Sequence, residues 1–89
     1  MKKTTAFDLN AMQEAHGALL KARAKHGPMV SAHEGYAVLI EEVDELWEEV
    51  KRQERDPAAM RKEALHVAAM ALRFIVDVCD LPNGEEVEP

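Results

Sequence analysis

Cysteine and aromatic residues are scarce in this 89-residue chain and basic residues are outnumbered by acidic ones, and each of these narrows what it can be. A lone cysteine, Cys79, excludes an internal disulfide and suits a reducing compartment. With one tryptophan, one tyrosine and two phenylalanines there is no aromatic cluster to act as a base-reading platform. The net charge of −6 argues against a nucleic-acid polymer as partner. It does not argue against nucleotides, because a bound cation reverses the local sign. The most apolar run, Ala64 to Cys79, is broken by His66, Arg73 and Asp77 and is too short to cross a bilayer. Lys2 and Lys3 are followed by no apolar segment of the kind that targets a chain for secretion. The expectation is a cytoplasmic protein without a membrane partner.

The hydrophobic spacing is helical throughout, with no repeats and no strand-like alternation. Three main helices are expected, over 8–26, 32–53 and 57–78, in one domain spanning 1–89 with a turn and acidic tail over 81–89. In the first, Leu9, Met12, His16, Leu19 and Arg23 recur at steps of three and four, and Gly17 is read as a close approach by another helix. Gly27-Pro28 ends it. Ser31-Ala32-His33-Glu34 reads as a capping box for the second helix. Its apolar seam is read as Tyr36, Leu39, Val43, Leu46 and Val50, widened by Ile40 and Trp47. Asp56-Pro57 starts the third, with aspartate as cap and proline in the first turn. That helix is apolar nearly all round, and Cys79 is read as a small core filler. The connections are short, which favours antiparallel neighbours. A chain this small is expected to complete its core by oligomerisation. The expected fold is thus an all-α, short antiparallel helical bundle assembled as a homodimer or homotetramer.

The chemistry concentrates in residues 41–49, where six of nine positions are acidic and Val43, Leu46 and Trp47 lie between them. Like charges one helical turn apart repel, and a divalent cation relieves that repulsion. Glu42 and Glu45, three apart, can converge above one helix face, and Glu63 and His66 repeat the spacing on the next helix. Two such pairs facing each other make a four-ligand centre of the kind helical bundles build. The plainer reading makes the acids a solvated face and Glu63 an acid favoured by the helix N-terminus. Likewise, Arg73 and Asp77 are read as an exterior i,i+4 pair, and Lys25, His26, Arg61 and Lys62, which flank helix ends and could reach a phosphate, as ordinary surface residues.

The run His33 to Leu46, with Glu41-Glu42-Val43-Asp44-Glu45 inside it, resembles the MazG-like all-α nucleoside triphosphate pyrophosphohydrolases. That family carries E-E-x-x-E on one helix and E-x-x-D on the next. The second half here is Glu63-Ala64-Leu65-His66, with histidine in place of the usual aspartate. The resemblance covers roughly residues 8 to 79. It implies Glu42, Glu45 and Glu63 as catalytic metal ligands, Glu41 as a supporting or surface residue beside them, and Mg²⁺, or alternatively Mn²⁺, as cofactor. The implied reaction releases a nucleoside monophosphate and pyrophosphate from a nucleoside triphosphate. Apart from the resemblance, Arg73 and Lys62 are the minority candidates for substrate contacts by their positions on the third helix. His66 removes one negative charge and offers a softer donor, which shifts preference toward Mn²⁺, Fe or Zn²⁺. It leaves open an altered metal count, a phosphate contact from His66, or reduced activity. Two other functions are compatible with the residues: a dimeric di-iron-type carboxylate and histidine bundle, and a non-catalytic helical dimerisation module.

Overall fold

The computed structural model describes residues 3–81, which are helical with no strand among them. Helix α1 spans Ala6–His26, α2 Ala32–Val50 and α3 Pro57–Arg73, and α3 runs directly into a wider π-helical segment, Phe74–Asp80. The expected turn and tail, Leu81 excepted, lie outside the described residues. No helix among the described residues is long and apolar enough to cross a membrane.

Local chemistry sets the boundaries. α1 starts two residues before the expected position because Thr5 and Asp8 cap it reciprocally. Thr5 Oγ1 accepts from the Asp8 amide at 3.1 Å, and Asp8 Oδ2 accepts from the Thr5 amide at 2.8 Å. Gly27 closes α1 with φ 72°, a region only glycine enters cheaply, and its amide donates to Arg23 O at 2.8 Å. At α2, Ser31 Oγ accepts from the Glu34 amide at 3.1 Å, which is half of the expected capping box. α2 ends at Val50, short of residue 53, and Arg55 Nε donates to the freed Val50 carbonyl at 2.7 Å. Asp56 caps α3 through the Ala58 amide at 3.0 Å with Pro57 in the first turn, as its sequence predicts. The third helix keeps its length past Arg73 but widens, with Leu81 N donating to Val76 O at 2.7 Å.

α3 is the shared element: α1 and α2 each pack on it and not on each other. The core is Leu19, Met29, Ala69 and Met70, surrounded by Ala18, Ala22, Val38, Leu39, Phe74 and Val78. Gly35 is where two elements approach most closely. A methyl group there would sit 2.7 Å from Phe74 Cδ2 and 3.0 Å from Met29 Sδ, so α2 lies against the π-helical segment only because this residue has no side chain.

Several expectations are corrected. In α1 the packed strip is Ala15, Ala18, Leu19 and Ala22, whereas Leu9, Met12 and His16 are exposed. Glu14 already meets Arg61 near the start of α3, so the first turns of α1 have no α3 beneath them. Gly17 faces open space, with nothing within 4 Å of where a Cβ would be, and is not a helix contact. In α2, Leu39, Leu46 and Val50 are half-buried, but Tyr36, Val43 and Trp47 are exposed. The helix carries two apolar stripes roughly a quarter-turn apart at 3.6 residues per turn. The one against α3 runs through Gly35, Leu39 and Leu46. Cys79 is exposed, not a core filler.

Arg73 and Asp77 are not an exterior pair but the most buried charges described, at 4% and 5% exposure. Asp77 Oδ2 accepts from the Met29 amide at 3.0 Å, and Asp77 Oδ1 meets Arg23 Nη2 at 3.4 Å. Arg73 Nη2 donates to Gly27 O at 2.7 Å. Together they tie the α1–α2 turn to the end of α3. The α1–α2 turn leaves backbone amide and carbonyl groups that no helix satisfies, and a buried ion pair covers them.

Candidate metal centre

Glu42 and Glu45 from α2 and Glu63 and His66 from α3 each place a ligand atom within 4.8 Å of the others. The i,i+3 spacing on each helix turns both side chains of a pair toward one flank, and the α2–α3 packing brings the two flanks together. His66 Nδ1 lies 3.6 Å from Glu42 Oε2 and 3.6 Å from Glu63 Oε2, too far for good hydrogen bonds. Side-chain exposure falls from 40% at His66 to 23% at Glu42 and 16% at Glu63, and Glu45 is at the open edge. Glu42 Oε2 and Glu63 Oε2 are buried atoms with no hydrogen-bond partner. Such acceptors are costly unless something donates to them or a cation binds them. Among the described residues no lysine or arginine pairs with any of the four.

Burial pushes the Glu42 carboxyl above its ordinary value of 4.5. Hydrogen bonding to Glu45 and its negative charge raise it further, and Glu63 adds to this while His66 opposes it. The donor set fits a hard or borderline divalent cation, with three carboxylates and one imidazole.

The acidic run divides sharply. Glu48 pairs with Lys51 at 2.8 Å on the helix surface, and the half-buried Glu49 pairs with Arg52 at 3.2 Å. Both have the basic partner that the four clustered side chains lack among the described residues. Glu41 is exposed and lies on the rim of a cleft beside Glu42.

That cleft, about 970 Å³, lies between α1 and α2 with α3 as its floor. Glu41, Glu42 and Glu34 are on its α2 side, His66, Ala69 and Arg73 on its floor, and Lys21, Lys25 and His26 on its α1 side. Arg73 therefore borders the cleft, but its Nη2 is committed to Gly27. Lys62 is exposed and does not line it, and Arg61 is engaged by Glu14. Lys21 was not singled out by the sequence reading. Its signal was the four-residue step to Lys25, which puts both ammonium groups on one face of α1.

Compared with known protein families, curated proteins and solved structures, the chain matches none.

Proposed function

We propose that the chain is a metal-dependent nucleoside triphosphate pyrophosphohydrolase of the MazG-like kind, acting as a homo-oligomer. The observation that carries this reading is the convergence of Glu42, Glu45, Glu63 and His66, from two helices, with two buried carboxylate oxygens unpartnered. A divalent cation bound there, Mg²⁺ or with His66 more readily Mn²⁺, supplies charge neutralisation for a triphosphate and a lowered pKa for a bound water. Glu42, Glu45 and Glu63 hold the cation, and His66 contributes the fourth donor. Glu41, on the cleft rim, is positioned beside the substrate and is not among the four donors.

Pairing of Gly35 with Phe74 at one end, and of Glu42 with His66 further along, is what antiparallel α2 and α3 require. Oligomerisation is supported by ten large apolar side chains left exposed among the described residues, around a small core. On α2 the open stripe is Tyr36, Val43 and Trp47, with Ile40 half-buried between them.

The test is incubation with a panel of ribo- and deoxyribonucleoside triphosphates plus Mg²⁺ or Mn²⁺, reading pyrophosphate release. Release by the wild type that is lost in Glu42→Gln and Glu63→Gln supports the proposal, and full activity in either variant removes that residue from the site. His66 among the donors is the observation that favours a second reading, a di-iron-type centre. Stoichiometric iron with a visible absorption band, and no pyrophosphate release, would favour it instead.

A further inference from the structure

We propose that Lys21 and Lys25 form a polyphosphate-receiving wall on α1, facing the carboxylate wall of α2 across the cleft. The inference rests on the hydrolase reading for the identity of the substrate. It stands on its own observations for the site.

The two walls carry opposite charge. Glu41 and Glu42 lie on one, Lys21 and Lys25 on the other, yet among the described residues no ion pair spans the gap. Neither lysine has an acidic partner elsewhere among the described residues. Proximity to the C-terminal end of α1 accounts for Lys25, which is in the last turn, but not for Lys21, one turn earlier. Two like charges at i,i+4 repel each other, and a multivalent anion lying between them removes that cost.

Gly17 on the α1 wall has no atom within 4 Å of its Cβ direction, and Ala69 on the floor is small, so neither fills the gap. α1 and α2 stand apart across α3 with a cleft of about 970 Å³ between them, large enough for a nucleotide. Arg73 borders the same cleft, but its Nη2 is on Gly27 O and its Nε is 3.9 Å from Asp77 Oδ2, so among the described residues the cations left without a partner on the cleft are Lys21 and Lys25. The cleft thus presents cationic donors along one side and, at the other, Glu42 and His66 of the cation-binding set. A metal-chelated polyphosphate is the ligand class that satisfies both, bridged to the acids by its cation and to the lysines directly.

The experiment is calorimetric titration of the full-length chain with inorganic tripolyphosphate, with and without Mn²⁺, and separately with Mn²⁺ alone. In the Lys21→Gln/Lys25→Gln variant, tripolyphosphate affinity is expected to fall at least tenfold while Mn²⁺ affinity stays unchanged. Lys21→Glu/Lys25→Glu should abolish binding, and circular dichroism checks that the helices are retained. Tripolyphosphate affinity equal to wild type in the glutamine variant overturns the proposal. If the wild type binds no Mn²⁺, the metal-centre reading fails by itself, and the metal-free titration then decides the lysine wall. Lysine-dependent binding of tripolyphosphate alone supports it, and no lysine-dependent binding overturns it.

Discussion

Two groups of charges lie along the same stripe of α3 and its continuation, and they are built in opposite ways. At one end Arg73 and Asp77, joined by Arg23, are nearly sealed from solvent, and Asp77 and Arg73 each bond to a backbone group of the α1–α2 turn. At the other end Glu63 and His66 face Glu42 and Glu45, three carboxylates and one imidazole, with two buried oxygens that accept nothing. The first group is close to charge-balanced and is spent on holding the chain together. The second has excess negative charge and spare acceptors, and no arginine or lysine among the described residues comes to it. Burial alone does not mark function: the more buried group is the structural one, and the group left unsatisfied is the candidate site.

The largest effect should come from breaking the structural end. Asp77→Ala leaves Arg73 and Arg23 without their carboxylate and frees the Met29 amide in a buried place. Removing one partner of a buried pair costs about 3–5 kcal/mol, so urea unfolding should show a loss of that size. At the other end, Glu42→Gln should do the reverse. Turnover should be lost, because one of the carboxylates that would hold the cation is gone. Stability at neutral pH holds or rises, because like-charge repulsion and carboxylate desolvation are both relieved. Turnover and unfolding measured on both variants would erase the contrast if each variant lost both properties alike.

Proton and cation linkage sharpens the comparison further. Glu42 binds its proton more tightly in the folded chain than at its ordinary value of 4.5. The folded state therefore holds more protons, so this contribution is fully present below 4.5 and is lost as pH rises through the raised value. A cation takes the proton's place. Mn²⁺ at a hundredfold excess over its Kd should stabilise the chain by about 2.7 kcal/mol at pH 7, and by less near pH 4, where Glu42 holds its proton in competition with the cation. Thermal unfolding at the two pH values checks this, and the same gain in Asp77→Asn but not in Glu42→Gln would locate it. The smallest effect is expected from the surface half of the acidic run. Glu48→Gln breaks an exposed pair with Lys51 and should change stability by less than about 1 kcal/mol and turnover not at all.

How far the site was legible follows from the same residues. Periodicity was enough to put Glu42 with Glu45, and Glu63 with His66, on one flank of their own helices, because i,i+3 spacing fixes direction within a helix whatever surrounds it; that the two flanks meet is a matter of packing. Periodicity could not separate Glu48 and Glu49 from Glu42 and Glu45, since that depends on Lys51 and Arg52 folding back at the helix end. Arg73 and Asp77 were misplaced on the exterior for a related reason. Their spacing says only that they share a face, and what covers the face is a turn some fifty residues away in sequence. The seam of α2 failed because the helix has two apolar stripes, and nothing in its own sequence says which one meets α3.

By itself, then, the sequence determined what is local: the all-helical class, the caps at Ser31 and Asp56, the stop at Gly27, and the internal geometry of each acid pair. Hydrogen bonding within a few residues and the 3.6-residue period decide those without help from distant contacts. Only the tertiary structure decided which stripe of each helix is inward, that Gly35 rather than Gly17 is the close contact, and that α1 stands off from α2 to open a cleft. Those outcomes depend on how side-chain volumes from three helices fill the space around α3, a property of the assembled packing that no single segment carries.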